Sequence, residues 1–289
     1  MRTEFITADG GQLSSLRCGG TIFRLFAPSN VRELSEYCSR NIGERYKILG
    51  GLTNTLVLSG GVKEIAVISD NMRGLTVEGH TIKAFAGEKL TKVAAVARTY
   101  GLTGMENFVG IPGTVGGAVK GNAGCFGGEI SDILQGVEIV NLDTGETEFV
   151  PSEEIAFGYR YCNLRNDRDF IYRAWFDLYP GRYDRIENEM KRIRSLRAES
   201  QPKRPSLGSV FKKYGKVSAG WYIEQSGLKG YRYGGMEISD VHANFIVNVA
   251  DGKPEEYLYL VELAEKKVYE NFGIKLSREV KVIGEQEGI

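Results

Sequence analysis

Apolar residues first recur at helical spacing at Val31, Leu34 and Cys38, directly after Ser29 and Asn30, either of which can cap a short helix. The run YKILGG then reads as a strand ending at Gly50-Gly51. From Glu64 the pattern is that of strands: EIAVIS, then TVEG and TIKAFAG around a Gly79-His80 turn. Leu90, Val93, Ala94, Ala97 and Tyr100 restore the helical period over Lys89 to Tyr100, with Gly101 where a left-handed cap belongs. GVEIVNL and ETEFVP flank Asp143-Thr144-Gly145, a hairpin signal, and DFIYRAWFDLYPG is a further strand ending near Gly181. Tyr183, Ile186, Met190, Ile193 and Leu196 form the apolar stripe of a charged helix, its charges a solvated face, which Pro202 and Pro205 bring to an end. Pro254 opens a last helix carrying Tyr257, Val261, Ala264, Val268 and Phe272. A final strand alternates Ile274, Leu276, Arg278, Val280 and Val282, which puts Glu279 on its other face. The fold class is therefore α+β.

Glycine interrupts this pattern most heavily between Phe108 and Gly128, FVGIPGTVGGAVKGNAGCFGG. Backbone without Cβ atoms can approach a ligand closely, so the stretch suits an extended, phosphate-bearing cofactor; a glycine-rich turn region of a β-rich domain is the plainer reading. Neither G-x-G-x-x-G nor G-x-x-x-x-G-K-[ST] occurs, which removes the Rossmann and P-loop readings. The upstream cluster Ile48-Leu49-Gly50-Gly51-Leu52-Thr53-Asn54 favours cofactor binding, because two separated glycine loops can grip one long dinucleotide.

Charge and composition narrow the partners. Thirty-seven basic residues balance thirty-seven acidic ones, so no global field favours nucleic acid or an anionic membrane. The amino terminus has no apolar signal region and no stretch nears the roughly 20 apolar residues of a membrane span, so a cytoplasmic enzyme is expected, as a monomer. Cys18, Cys38, Cys125 and Cys162 are scattered and only His80 and His242 are present, an arrangement that argues against metal sites, a disulfide framework and histidine-dependent hydrolases. His80 reads as a solvated turn residue, and His242 either as a substrate contact or as a satisfied structural histidine, which leaves it outside the catalytic set. One local imbalance stands out: Lys203, Arg204, Lys212, Lys213, Lys216, Lys229 and Arg232 face only Glu224 between Gln201 and Gly234, which makes a local anion site or a solvated basic surface.

ILGGLTN, FVGIPGTVGGAVKGNAG, FGYR at Phe157–Arg160, GSVFK at Gly208–Lys212 and REVKVIGE at Arg278–Glu285 occur in an order and spacing that resembles the UDP-N-acetylenolpyruvoylglucosamine reductases, also called UDP-N-acetylmuramate dehydrogenases. The resemblance covers nearly the whole chain. It implies an FAD-binding domain of the vanillyl-alcohol-oxidase-like (PCMH-type) fold plus a smaller α/β substrate-binding domain, with FAD bound non-covalently and NADPH as hydride donor. On this basis residues 1–182 bind FAD as two α/β subdomains, about 1–62 and 63–182. Residues 183–200 form a bridging helix, and 201–289 form the substrate domain, whose last strand carries Glu279 back to the active site.

The resemblance also implies site residues. Gly50, Gly51, Thr53, Asn54, Gly110, Pro112, Gly113, Thr114, Gly116, Gly117, Asn122, Ala123 and Gly124 are the expected cofactor contacts. Arg160 is expected to hold the substrate carboxylate, Ser209 to donate a proton and Glu279 to polarise the enol ether, with Tyr159, Lys212 and Lys213 against the UDP-sugar. Taken alone, Arg160 is a strand arginine stacked on Tyr159 and Tyr161, Ser209 a turn or cap residue and Glu279 an exposed edge glutamate. Two departures from the family pattern stand out: Leu52 where a third glycine is usual, and Lys213-Tyr214 without the usual proline. The 49-residue interval from Arg160 to Ser209 resembles the family's shorter subtype. Another FAD-dependent oxidoreductase of this fold, or a non-catalytic flavin or sugar-nucleotide binder, would share most of these features.

Overall fold

The computed structural model describes residues 5–286. Its helices start and stop where local chemistry dictates. Asn30 caps Val31–Arg40 by accepting from the Glu33 N–H at 3.0 Å, and the Glu33 carboxylate accepts from the N–H of Ser29, the residue before the cap, at 2.7 Å. Leu34 and Cys38 are its buried face. Leu90–Thr99 buries Leu90, Val93, Ala94 and Ala97, and Gly101 follows at φ +64°. Tyr183–Ser200 and Pro254–Phe272 are the two long helices. The second begins on its proline and ends at Gly273, φ +69°, whose N–H donates to the Tyr269 carbonyl at 2.8 Å.

The chain forms two compact units, each drawn from separated stretches. The first takes in Leu25–Gly51 and Glu64–Arg197. Its main sheet runs Thr147–Pro151, Leu134–Asn141, Asp169–Asp177, Thr81–Phe85, Leu75–Glu78, antiparallel throughout. Tyr46–Leu49 pairs in parallel with Val62–Ile68 in register Tyr46↔Ile65, which sets Gly50 just past a strand end. Two apolar cores support it, one around Val93, Phe108 and Phe176, the other around Phe26, Leu34 and Phe170.

The second unit takes in Ile6–Arg24, Leu52–Lys63 and the chain from Ala198 onward. Its antiparallel sheet runs Ser206–Ser209, Phe245–Asn248, Met236–Ile238, Arg232–Tyr233. Lys281–Ile283 pairs in parallel with Thr55–Val57. Leu16, Leu56, Phe211, Tyr257 and Val261 lie in one core, so amino-terminal residues fill the interior of a unit made mostly of carboxy-terminal ones.

Three local features differ from the expected elements. The Phe108–Gly128 stretch is not a bare loop: Val115–Lys120 is helical, because Val115, Ala118 and Val119 recur at helical spacing and bury one face despite two intervening glycines. FGYRYC is not one strand but a hairpin, Phe157–Gly158 paired with Tyr161–Cys162, whose turn is Tyr159-Arg160. The final strand is short, Lys281–Ile283, and Glu279 precedes it in a segment joined to the sheet region by an isolated bridge between Arg278 and Phe211.

Candidate functional site

In the first unit the two glycine clusters meet. A Cβ placed on Gly50 would sit 3.3 Å from the Thr114 hydroxyl and 3.5 Å from Cα of Gly117, and one on Gly51 would sit 3.4 Å from Cα of Gly113. Main-chain bonds hold this arrangement: Gly116 N–H donates to the Ala86 carbonyl and Val115 N–H to that of Glu88, both at 2.9 Å. Glu88 itself is buried. Burial opposes its ionisation, but Lys92 and the N–H groups of Lys89 and Gly74 outweigh that cost and hold its pKa below the ordinary carboxylate value.

A cleft of about 110 Å³ opens beside these glycines, lined by residues that include Ile48, Leu49, Gly50, Gly116, Gly117 and Phe170. Thr114 Oγ1 is buried and finds no hydrogen-bond partner among the described residues. An orphaned hydroxyl beside a side-chain-free cradle is what an extended polar ligand with an apolar ring system requires. Sequence reasoning missed the segment Arg165–Asp169, which also lines this cleft. Asp167 accepts from the Ile48 N–H at 3.1 Å and from Lys47 Nζ at 3.0 Å, tying that segment to the strand before Gly50. Its only sequence signal is the charge-dense run RNDRD after a hairpin.

Other expected cofactor contacts are committed to protein. The Asn122 amide donates to Glu129 and to the Gly158 carbonyl and its oxygen accepts from the Ser131 N–H, so its side chain works as an internal strut. A Cβ on Gly124 would fall 2.4 Å from the Gly128 carbonyl, a packing reason for that glycine. Gly110 lies on the surface next to Arg197, Pro112 is exposed and Ala123 half-buried.

Arg160 occupies the second central position of its turn at φ +55°, a conformation that glycine adopts cheaply and arginine does not. Its guanidinium folds back onto the glycine stretch, Nη2 donating to the Gly124 carbonyl at 2.6 Å and Nη1 to that of Asn122 at 3.4 Å. The Tyr159 ring lies 5.0 Å from the guanidinium carbon, a cation–π contact on an exposed ring. Backbone strain at a residue so anchored marks a position held for its side chain.

In the second unit Ser209 and Glu279 come together. Ser209 ends its strand opposite Phe245, and the next residue, Val210, accepts from the Glu279 N–H at 2.8 Å. Both are half-buried. Arg278 forks onto Glu265 at 2.6 and 2.7 Å, which anchors the segment bearing Glu279 to the last helix. Asn54, a residue expected to contact cofactor, donates instead to the main chain of Glu279. Lys212 gives its N–H to the Ser277 carbonyl, Lys213 is exposed, and Lys229 pairs with Glu224 at 3.0 Å, so the basic stretch is partly neutralised.

Residues 201–283 match the family "UDP-N-acetylenolpyruvoylglucosamine reductase, C-terminal domain", and residues 24–150 match "FAD binding domain". A UDP-N-acetylenolpyruvoylglucosamine reductase of Streptococcus pneumoniae (strain CGSP14) is 40% identical over 277 residues, 95% of this chain and 92% of its own. The same enzyme from strain ATCC 700669 / Spain 23F-1 is 40% identical over 275 residues, 94% of this chain and 87% of its own. The crystal structure of UDP-N-acetylenolpyruvylglucosamine reductase from Thermus caldophilus superposes with a TM-score of 0.86 at 32% identity, covering 97% of this chain and 99% of that one.

Proposed function

The chain belongs to the UDP-N-acetylenolpyruvoylglucosamine reductase family, and on that premise we propose that Arg160, Ser209 and Glu279 carry its chemistry while the two glycine clusters hold its cofactor. The activity is that of an FAD-containing oxidoreductase that takes its reducing equivalents from NADPH and reduces the enolpyruvyl group of a UDP-sugar in peptidoglycan precursor synthesis. Bound FAD supplies the hydride chemistry.

The residues fit that cofactor: Gly50, Gly51, Gly113, Gly116 and Gly117 present bare main chain that would hold it, and the Thr114 hydroxyl, without a partner among the described residues, would be available to it. Thr53, Asn54, Gly110, Pro112, Asn122, Ala123 and Gly124 complete the proposed cofactor set, some by shaping the loops rather than by contact. Arg160 holds the substrate carboxylate, since a planar fork matches two carboxylate oxygens, and it steadies the negative charge that builds on the adjoining carbon. The Ser209 hydroxyl delivers a proton to that carbon. Glu279, as the protonated acid, donates a hydrogen bond to the developing enolate, and Tyr159, Lys212 and Lys213 orient the UDP-sugar.

The observation that carries this reading is that Arg160, at φ +55° in its turn, has its guanidinium held against the Gly124 and Asn122 carbonyls of the glycine-rich stretch. Among the described residues no helix is long and apolar enough to cross a membrane, and the reading includes a cytoplasmic monomer. The test is Ser209→Ala. NADPH should bleach its flavin at the normal rate, while reoxidation by the enolpyruvyl sugar slows by about 10² to 10⁴. Equal slowing of both half-reactions removes Ser209 from the role.

A further inference from the structure

We propose that Asn244 is the positioning residue that sets Ser209 and Glu279 side by side; this rests on the roles given to those two residues above. The strand opposite Ser209 ends early. Val210 N–H donates to the Asn244 carbonyl at 2.8 Å, but the partner chain then turns away, Phe245 N–H closing onto the His242 carbonyl at 3.0 Å. Among the described residues, the next one, Phe211, has no main-chain partner on that edge. The Asn244 carboxamide takes over both bonds: its Oδ1 accepts from the Phe211 N–H at 3.0 Å and its Nδ2 donates to the Phe211 carbonyl at 2.8 Å. A side-chain amide thus acts as one more peptide unit of the ladder.

The opposite edge of the same three residues holds Glu279. Val210 accepts from the Glu279 N–H, and Lys212 donates to the Ser277 carbonyl, each at 2.8 Å. Residues 210–212 are therefore clamped between Asn244 and the 277–279 segment, with Ser209 immediately before them. Asn244 is held in turn: it is 4% exposed, and its N–H donates to His242 Nδ1 at 3.1 Å. Losing the carboxamide leaves a buried N–H and a buried C=O of Phe211 unpaired, so the strand must re-seat and carry both Ser209 and Glu279 with it.

The experiment uses the flavin-loaded enzyme with Asn244→Leu, of similar volume and without hydrogen bonds. Flavin reduction by NADPH should be unchanged and reoxidation by the enolpyruvyl sugar slowed about 10²-fold, the scale of an ångström misplacement of reacting groups. If that variant does not fold, Asn244→Asp retains the acceptor for Phe211 and should show the same selective loss. In a Ser209→Ala background the substitution should cost clearly less than in the wild type, because one of the two groups it aligns is gone and only the share of Glu279 remains. A cost as large in that background as in the wild type, or equal slowing of both half-reactions, overturns the inference while leaving Ser209 in its role. A Ser209→Ala enzyme that reoxidises normally overturns the role of Ser209 and this inference with it.

Discussion

The side-chain amide of Asn54 donates to the main-chain carbonyl of Glu279 at 3.3 Å, joining residues 225 positions apart, and the Lys281 N–H donates back to the Asn54 carbonyl at 3.0 Å. The residue that closes the first glycine cluster therefore holds the segment bearing the proposed acid. Asn54→Ala removes one net hydrogen bond, about 1 kcal/mol, so reoxidation of reduced enzyme by the enolpyruvyl sugar should slow about fivefold. Stopped-flow flavin absorbance measures it, and loss of flavin without a change in that rate assigns Asn54 to the cofactor instead.

Arg160→Lys keeps the charge and discards the fork that reaches Gly124 and Asn122. A hydrogen bond to a charged group contributes about 1.5–3 kcal/mol, so kcat/KM for the enolpyruvyl sugar should fall roughly 10- to 100-fold while NADPH still bleaches the flavin. Near-normal turnover would count against carboxylate clamping.

Leu52 is 2% exposed and sits at φ +46°, where the family usually has glycine. Two effects compete at this position. The left-handed backbone costs about 1–2 kcal/mol, and truncating a buried leucine costs about 2–5 kcal/mol. Burial wins, so both Leu52→Gly and Leu52→Ala should lower Tm, but alanine retains the strain that glycine relieves. Thermal melts should rank wild type above Leu52→Gly and Leu52→Gly above Leu52→Ala, the reverse of the usual order for an alanine and a glycine.

Burial lowers the pKa of His242 below the ordinary value near 6.5, with Lys229 adding to the shift and Glu224 opposing it. Its Nδ1 accepts a hydrogen bond, which also requires the neutral ring. The unfolded chain therefore binds the proton more readily. Stability should be at its full value above about pH 6.5 and decline as pH falls from there through the depressed folded value. Denaturant melts between about pH 5 and 8 test this, and His242→Gln should flatten the slope.

What could be read along the chain was what local forces decide. Val31–Arg40, Leu90–Thr99 and Pro254–Phe272 lie close to where their caps and apolar spacing put them, since each is stabilised by bonds within a few residues of its own sequence. Val115–Lys120 was hidden because Gly116 and Gly117 lower helix propensity, and only a buried face repays that. The charge-dense run at Arg165–Asp169 did not mark it as part of the site, because a charged run looks the same on a solvated loop as on the lip of a cleft.

The amino-acid sequence by itself determined the element types, the glycine clusters and the family pattern that names Arg160, Ser209 and Glu279 as candidates. Tertiary structure alone decided that Ser209 and Glu279 are neighbours, that Asn54 serves Glu279 and that Asn244 completes the ladder at Phe211. Helix caps and apolar periods are settled over a few residues. A bond between positions more than 200 residues apart exists only once strand ends and register are set, and those depend on which buried main-chain groups still lack a partner.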